Sequence, residues 1–273
     1  MAALQLPRAG ARVVPSLLAL LLLAAAAAVH AAGARRARED LRVEMVTTSA
    51  ASSVGGGGAS WCPSWRLGVE TNNIRGWYSI PAECRGYVSD YMFGDVFRQD
   101  CAVVAREAAA HAEGLDLAGD GREVWVFDID DTTLTNLPYY ADTGFGAQPY
   151  NASYFDEYVA NATAPALPEV LELYEKLVAL GIKVVFITGR HEYAREATVK
   201  NLRSAGYHTW FKLVLKPSSL GSSVVPYKSG ERQKLVDAGY RIVGNMGDQW
   251  SDLVGAPEGE RTFKVPDPMY YVG

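Results

Sequence analysis

The sequence predicts an α/β protein with a Rossmann-like parallel sheet that carries helices on both faces. From residue 123 onward, short apolar runs alternate with amphipathic segments of helical length, which is the pattern of βαβ units. The 273 residues are 49% hydrophobic and 11% aromatic, enough apolar material for a packed core. The net charge of −5 argues against nucleic-acid binding through overall charge, so we expect no nucleic-acid partner.

The first residues are typical of a secretory signal peptide. Arg8 and Arg12 precede an apolar run at Val13–Val29, and small residues follow, so we expect cleavage after Ala31 and a signal peptide at residues 1–31. An uncleaved anchor is the alternative, but this run of 17 residues is short for a membrane span. The mature protein is therefore expected in the secretory pathway, at an extracellular or vacuolar destination and without membrane attachment.

The next segment, residues 32–60, ends in a run of Thr, Ser, Ala and Gly that has no means of burying apolar area. We interpret it as a flexible linker. The folded domain is expected at residues 61–273. Its first part, residues 61–121, is predicted to be helical, with one long helix at Gly86–Glu113. We interpret it as a lid or packing subdomain with no chemistry of its own.

The alternating pattern then predicts each strand and helix in turn. The strands are apolar runs, as in a buried parallel sheet, and the helices are amphipathic and end at or near glycine. The predicted strands are Val124–Asp128, Ile182–Ile187, Lys212–Leu215, Arg241–Gly244 and a fifth at Arg261–Val265, and the predicted helices are Pro168–Leu180, His191–Ala205 and Ser229–Ala238.

Cysteines and sequons agree with secretion. Cys62, Cys84 and Cys101 predict one disulfide in an oxidising compartment, with one thiol left over, and the sequence favours none of the three pairings. Three buried free thiols are the alternative, and the spacing fits no zinc site. Asn151 and Asn161 each begin a glycosylation sequon.

Polar residues follow four of the predicted strands in a fixed order. In a parallel sheet, ligands bind where strands reach their carboxyl ends. Taken alone, each element has an ordinary structural explanation, such as a helix cap or a turn. The four together are more informative: Asp128–Thr132 (DIDDT), Thr188–Arg190 (TGR), a lysine at either Lys216 or Lys228, and Gly247–Asp252 (GDQWSD).

These residue types suit phosphoryl transfer. A carboxylate can attack phosphorus and form an aspartyl-phosphate. A second carboxyl group two residues later can protonate the leaving oxygen and then deprotonate water. Because the transferring group is an anion facing carboxylates, Mg²⁺ with oxygen ligands and a lysine are needed beside it. Hydroxyl and backbone N–H groups supply hydrogen bonds.

This set of motifs resembles the haloacid dehalogenase-like phosphohydrolases. The resemblance implies that Asp128 is the nucleophile, that Asp130 is the general acid and base, and that Thr188 is the threonine of the second motif. It also implies that Asp248 is a Mg²⁺ ligand and that Asp252 either ligates the metal or orients a water. An aspartate at position 130 fits a phosphatase rather than a dehalogenase or an ion-pumping ATPase.

Four longer segments narrow the resemblance to the plant acid phosphatase and vegetative storage protein family, of the class III acid phosphatases near the bacterial class B enzymes. They are residues 64–77, 124–141, 227–253 and 261–271. The third motif of that family implies Lys228, with Arg232 one helical turn later, and leaves Lys216 as the alternative. The implied metal ligands are the carboxylates of Asp128 and Asp248 and the backbone carbonyl of Asp130, with Asp252 beside them.

A long insertion follows the first motif. Residues 137–165 exceed the usual βα connection. We interpret the insertion as a cap or flap over the site that selects the leaving group. A surface excursion with an aromatic cluster is the alternative. The aromatic residues are Tyr139, Tyr140, Phe145, Tyr150, Tyr154 and Phe155.

The sequence therefore predicts an acid phosphatase with a small phosphomonoester substrate, and a homo-oligomer is compatible with it. A storage protein with little or no catalysis is the alternative, and a phosphatase specific for one substrate class is a third. Activity is expected to fall above neutral pH, because Asp130 has to be protonated while Asp128 has to be ionised. Crowded carboxylates should raise one pKa, whereas Mg²⁺ and Lys228 should lower the pKa of Asp128.

Overall fold

The computed structural model describes residues 59–221 and 223–272. The predicted signal peptide at 1–31 lies outside the described residues, and so does the predicted linker at 32–60 apart from its last two residues. Within the described ranges, none of the helices has both the length and the apolar content needed to cross a bilayer.

The core of the described part is a parallel sheet of five strands in the order β3-β2-β1-β4-β5. All five residues of β1 are buried, as expected for a central parallel strand covered on both faces. The predicted α/β fold is confirmed. The strands are β1 (Glu123–Phe127), β2 (Lys183–His191), β3 (Lys212–Lys216), β4 (Arg241–Gly247) and β5 (Thr262–Lys264).

Helices lie before, between and after the strands. They are α1 (Cys62–Glu70), α2 (Arg85–Phe93), α3 (Asp95–Glu113), α4 (Leu137–Asp142), α5 (Ala152–Asn161), α6 (Pro168–Ala179), α7 (Arg195–Ser204), α8 (Val225–Asp237) and α9 (Trp250–Leu253), with 3₁₀ turns at Ala82–Cys84 and Glu192–Ala194. The insertion therefore contains α4 and α5. Its two ends meet, since the Thr135 amide donates to the Pro165 carbonyl at 2.9 Å and the Leu167 amide donates to the Thr133 carbonyl at 3.1 Å.

Alternate residues of β1 point to opposite faces of the sheet, as strand geometry requires. Trp125 and Phe127 belong to the larger hydrophobic cluster, which also contains buried side chains of α3, α6 and α7. Val124 and Val126 belong to a smaller cluster with Tyr227 of α8. Helices therefore cover both faces, and α8 lies on the side opposite α3 and α6.

The predicted helix at Gly86–Glu113 is wrong as a single element. The chain breaks at Gly94, which has the extended value ψ 166° and separates α2 from α3. A β-carbon at Gly94 would lie 2.6 Å from the carbonyl oxygen of Asp90. Only glycine fits this close approach, and α3 can therefore leave α2 in a new direction and pack against α6.

Two predicted helix starts also change. Strand β2 continues through His191, and a 3₁₀ turn precedes α7, so the helix predicted from His191 begins at Arg195. Helix α8 begins at Val225 rather than Ser229 because Pro226 occupies its first turn, where a missing N–H has no cost. Lys228 therefore lies within a helix.

The predicted disulfide is confirmed, with Cys62 bonded to Cys84. It joins α1 to the 3₁₀ turn before α2. Cys101 is a buried free thiol on α3, and burial raises its pKa well above that of an ordinary thiol. The structure thus decides a pairing that the sequence leaves open.

Candidate active site

A compact loop follows β1 and carries the first motif. The Asp128 amide continues the strand pairing by donating to the Met246 carbonyl at 2.9 Å, and the Leu134 amide closes the loop on the Ile129 carbonyl at 2.9 Å. Asp131 adopts a left-handed conformation with φ 54°, which aspartate tolerates better than most residues. The turn directs the carboxylates of Asp128 and Asp130 to the carboxyl edge of the sheet.

Lys228 reaches Asp128 from α8. Its ammonium forms an ion pair with Asp128 Oδ1 and a second one, 2.5 Å long, with Asp252 Oδ1. All three side chains are at most 7% exposed. The predicted lysine therefore contacts two of the other predicted site residues, although Lys228 is 100 residues away from Asp128 in sequence.

The pKa of Asp128 is raised well above the ordinary aspartate value. Burial is the main cause; Lys228 opposes it, and the charges of Asp252 and Asp248 add to it. The pKa of Lys228 is also raised, because the two carboxylates outweigh the effect of its burial. A bound divalent cation would act on Asp128 in the same direction as Lys228.

Asp130 has a cation of its own. Arg190 Nε lies 3.1 Å from both carboxylate oxygens, Arg190 Nη2 lies 2.8 Å from Oδ1, and Asn136 Nδ2 donates to Oδ1 at 2.8 Å. Burial raises the pKa of Asp130, but the charge and hydrogen bonds of Arg190 outweigh it, so the pKa is lowered. The two pKa values thus separate in the direction opposite to the expectation, because burial dominates at Asp128 whereas the charge of Arg190, for which no role was predicted, dominates at Asp130.

Asp248 directly follows β4 and is buried in the site. Its Oδ1 accepts a hydrogen bond from Thr132 Oγ1 at 2.9 Å, and its Oδ2 accepts from Gln249 Nε2 at 2.8 Å and from the Tyr270 hydroxyl at 2.9 Å. Burial, followed by the charge of Asp252, raises the pKa of Asp248 to about 6. Tyr270 was not predicted, and it ties the C-terminal segment to the site.

Asp252 is fixed from two sides. Its Oδ2 accepts from the Gln249 amide at 3.0 Å, while Lys228 holds Oδ1. Arg232 donates to four backbone carbonyls of residues 252–257, among them that of Asp252 at 2.7 Å. Arg232 thus holds the loop after α9 in place, and it acts on the site through that loop.

The structure places Thr188 next to the site but does not expose it. Its side chain is fully buried, and its Oγ1 accepts a hydrogen bond from the Arg190 amide at 3.0 Å. In this position the threonine fixes the irregular end of β2 that presents Arg190 to Asp130. Its predicted contact with a phosphoryl group remains a prediction.

Three of the predicted ligands could hold a metal ion. Asp128, Asp248 and Asp252 are buried, and each offers a carboxylate oxygen within 4.8 Å of the others. An all-oxygen donor set of this kind suits Mg²⁺ rather than zinc. The carboxylate of Asp130 is taken up by Arg190, so only the backbone carbonyl of Asp130 is available as a ligand, as the resemblance implies.

The charge balance also favours a cation. In the described part of the chain, six interacting carboxylates lie around the site. Lys228 and Arg190 pair with three of them, Lys216 lines the same cavity, and Lys264 is paired with Glu70. An excess of buried negative charge is costly unless it is paired, protonated or bound to a metal. The carboxylates are those of Asp128, Asp130, Asp131, Asp248, Asp252 and Asp267.

A cavity of about 460 Å³ opens above these residues, with Asp128, Asp130, Lys228 and Asp252 among its lining. This is much larger than a phosphate group, so the cavity also has room for a leaving group. Its walls are largely aromatic. They come from the insertion, from the 3₁₀ turn after β2, from the C-terminal segment and from the N-terminal part, and include Trp77, Tyr78, Tyr139, Tyr140, Tyr150, Phe155, Tyr193, Tyr270 and Tyr271.

The N-terminal part, which we interpret as a lid or packing subdomain, contributes to the cavity wall. Trp77 and Tyr78 line the cavity, and the carbonyl of Glu70 accepts a hydrogen bond from Trp250 Nε1 at 3.2 Å, beside the fourth motif. The sequence gave no signal for this contact, because the two segments are 180 residues apart.

Fold and site together define an α/β protein of the haloacid dehalogenase-like class. Its sheet edge holds an aspartate pair after β1, a lysine from α8 and two more aspartates after β4. Residues 46–273 match the family model of the HAD superfamily, subfamily IIIB (acid phosphatase). The chain belongs to this family, and the prediction of an acid phosphatase is confirmed at that level.

Relatives carry two kinds of name. The chain is 48% identical to acid phosphatase 1 of Solanum lycopersicum over 212 residues, which cover 77% of this chain and 83% of the relative. It is 45% identical to vegetative storage protein 1 of Arabidopsis thaliana, over 77% of this chain and 78% of the relative. It is 46% identical to the stem 28 kDa glycoprotein of Glycine max, over 77% and 84% of the two chains.

A solved structure shares the fold. The class C acid phosphatase from Bacillus anthracis superposes with a TM-score of 0.58 at 22% identity, covering 68% of this chain and 85% of that one. At this identity the similarity supports the architecture and says nothing about individual residues.

Proposed function

We propose that the protein hydrolyses phosphomonoesters through an aspartyl-phosphate intermediate on Asp128, with Mg²⁺ as cofactor. The observation that carries the proposal is the arrangement at the cavity floor. There the buried Asp128 carboxylate touches Lys228, and Asp130, held by Arg190, lines the same cavity. These are a nucleophile, a cation for phosphoryl oxygens and a proton carrier in one place.

In the first step, a carboxylate oxygen of Asp128 attacks phosphorus as the bond to the ester oxygen breaks. Asp130 gives its proton to the departing oxygen, and the alcohol leaves. The Lys228 ammonium stabilises the negative charge on the phosphoryl oxygens. In the second step, Asp130 takes a proton from water as that water attacks the aspartyl-phosphate. Inorganic phosphate leaves, and Asp128 returns as a carboxylate.

Mg²⁺ held by Asp128, Asp248 and the Asp130 carbonyl, with Asp252 beside it, would neutralise phosphoryl charge during the transfer. Lys228 has a second function in this scheme, since it keeps Asp252 and Asp128 together without leaving either charge unpaired. Because Arg190 lowers the pKa of Asp130, the protonated acid accumulates only as the pH falls. This gives the acidic preference a physical cause.

The test is the substitution Asp128→Asn, assayed against a panel of phosphomonoesters with and without Mg²⁺ across pH. We expect the variant to fold and to lose turnover, and a fluoroberyllate adduct in the wild type to lie on Asp128. Asp116→Asn, a change at an exposed position, is the matched control. Near-native turnover in the Asp128 variant would show that another group is the nucleophile.

A storage role is the second candidate, and the relatives named vegetative storage proteins favour it. Turnover of the purified, Mg²⁺-supplied protein separates the two, because a pure storage protein has none. For either role we propose an extracellular or vacuolar location after signal cleavage. The Cys62–Cys84 disulfide and the exposed sequon residues Asn151 and Asn161 support it.

A further inference from the structure

Lys216 is a buried cation without a partner. It ends β3, lines the cavity and is only 5% exposed. Within residues 59–221 and 223–272, its ammonium has no hydrogen bond and no carboxylate within ion-pair distance. The pKa of Lys216 is lowered by burial. An ammonium that faces the cavity with no counter-charge beside it is available to pair with an anionic ligand.

The other cations of the cavity are already paired. Lys228 holds Asp128 and Asp252, and Arg190 holds Asp130. Asp156 also lines the cavity, but its carboxylate accepts hydrogen bonds from the Tyr193 hydroxyl, 3.0 Å from each oxygen, and forms no ion pair with Lys216.

A second nitrogen beside Lys216 also lacks a partner. His191 is the register neighbour of Lys216 on β2. Its Nδ1 is buried without a hydrogen bond, and its ring lines the cavity and stacks on Tyr193. Buried polar groups without partners are uncommon in native proteins. This buried nitrogen and the unpaired ammonium of Lys216, next to each other in one cavity wall, indicate a polar ligand at this place.

The position of β3 in the sheet places Lys216 away from Asp128. In the strand order, β2 lies between β3 and β1. With strands about 4.8 Å apart, the backbone of Lys216 lies roughly 10 Å across the sheet edge from that of Asp128. Lys216 is thus set apart from Lys228, whose ammonium pairs with Asp128 directly.

We propose that Lys216 binds a second anionic group, a carboxylate or a further phosphate, on the leaving-group side of the substrate. This inference rests on the proposed function and narrows its substrate class. The preferred substrates are phosphomonoesters whose alcohol carries its own negative charge.

The experiment compares substrates that differ in this charge. The kcat/KM values are measured for 4-carboxyphenyl phosphate, its 3-carboxy isomer and neutral 4-carbamoylphenyl phosphate, which has a similar shape. Benzene-1,4-diyl bisphosphate tests a second phosphate group in place of the carboxylate. We expect the wild type to prefer the charged substrates, and Lys216→Met to reduce the charged-to-neutral ratio by roughly tenfold to a hundredfold, as a charged hydrogen bond implies. Lys216→Arg should retain the preference.

Lys212→Met, an exposed lysine at the other end of β3, is the matched control and should leave the ratio unchanged. A ratio that Lys216→Met does not change overturns the proposal. So does an equal loss on charged and neutral substrates, which would place Lys216 at the transferred phosphoryl group. Near-UV circular dichroism of both Lys216 variants checks that they fold.

Failure of the proposed function gives a different result, namely no turnover of the neutral substrate by the wild type. In that case, (4-carboxybenzyl)phosphonate and its carbamoyl counterpart, which cannot be hydrolysed, provide the same comparison as dissociation constants. A charged-to-neutral affinity ratio that Lys216→Met reduces supports the subsite without any catalysis. A ratio equal in the wild type and the variant rejects it.

Discussion

Arg190→Met should change the pH dependence of the enzyme in a substrate-dependent way. Arg190 Nη2 and Nε both donate to the Asp130 carboxylate, at 2.8 and 3.1 Å. This pairing lowers the pKa of Asp130. A neighbouring arginine typically lowers the pKa of an aspartate by about 1–3 units. Removing it should therefore raise the pKa of Asp130 by that amount.

The sign follows from the proposed role. Asp130 has to carry a proton when the leaving oxygen departs, so activity is lost as the pH rises through its pKa. In Arg190→Met the protonated form should persist to a higher pH. The alkaline limb of kcat/KM for an alkyl phosphate should then move up by about 1–3 units. For p-nitrophenyl phosphate, whose leaving group hardly needs a proton, it should move little.

The assay is a pair of pH–rate profiles, with glycerol 2-phosphate and p-nitrophenyl phosphate, for the wild type and for Arg190→Met. Arg195→Met, an arginine that pairs with Glu192 at the surface, is the control and should shift neither profile. Breaking the pair should also cost roughly 3 kcal/mol of stability, the lower end for buried pairs, because Asp130 keeps 18% side-chain exposure. Arg190→Lys, which keeps the charge but not the fork, should give an intermediate shift.

Two outcomes would refute the reasoning. An unmoved alkyl-phosphate limb would mean that Arg190 does not set the pKa of the acid. Equal shifts with both substrates would mean that the titrating group is not the proton donor to the leaving oxygen.

Further predictions concern the metal, the acid and the disulfide. Chelation should abolish turnover and lower Tm, and Mg²⁺ should restore both; full activity after exhaustive chelation would contradict this. Asp248→Asn should weaken the Mg²⁺ dependence more than Asp252→Asn, because Lys228 already holds Asp252. Asp130→Asn should reduce turnover of alkyl phosphates by about 10²–10⁴-fold and turnover of p-nitrophenyl phosphate much less. Equal losses for the two substrates would mean that another group is the general acid. Replacing Cys62 and Cys84 by serine should cost about 3 kcal/mol for a loop of 22 residues, measured by urea unfolding; an unchanged midpoint would show that the crosslink adds no stability.

The sequence pattern predicted the sheet, which the structure confirms, and it grouped most of the candidate site residues. Buried parallel strands and their helices have local periodicities, so the order of strands and helices could be predicted from the pattern alone. The carboxyl ends of parallel strands meet at one edge, and for this reason Asp128, Asp130 and Asp248 could be assigned to one site before any coordinates were known. The helix break at Gly94 was missed because an interior glycine only weakens a helical pattern and does not fix where the chain turns.

The tertiary structure alone decided which charges meet. Lys216 ends the third strand and Lys228 follows it in sequence, but only Lys228 contacts Asp128, because α8 begins early enough to direct its side chain inward. Arg190 became the partner of Asp130, and Trp77 became a cavity wall. These contacts join segments dozens of residues apart, and their formation depends on how strands and helices pack, which no local periodicity encodes.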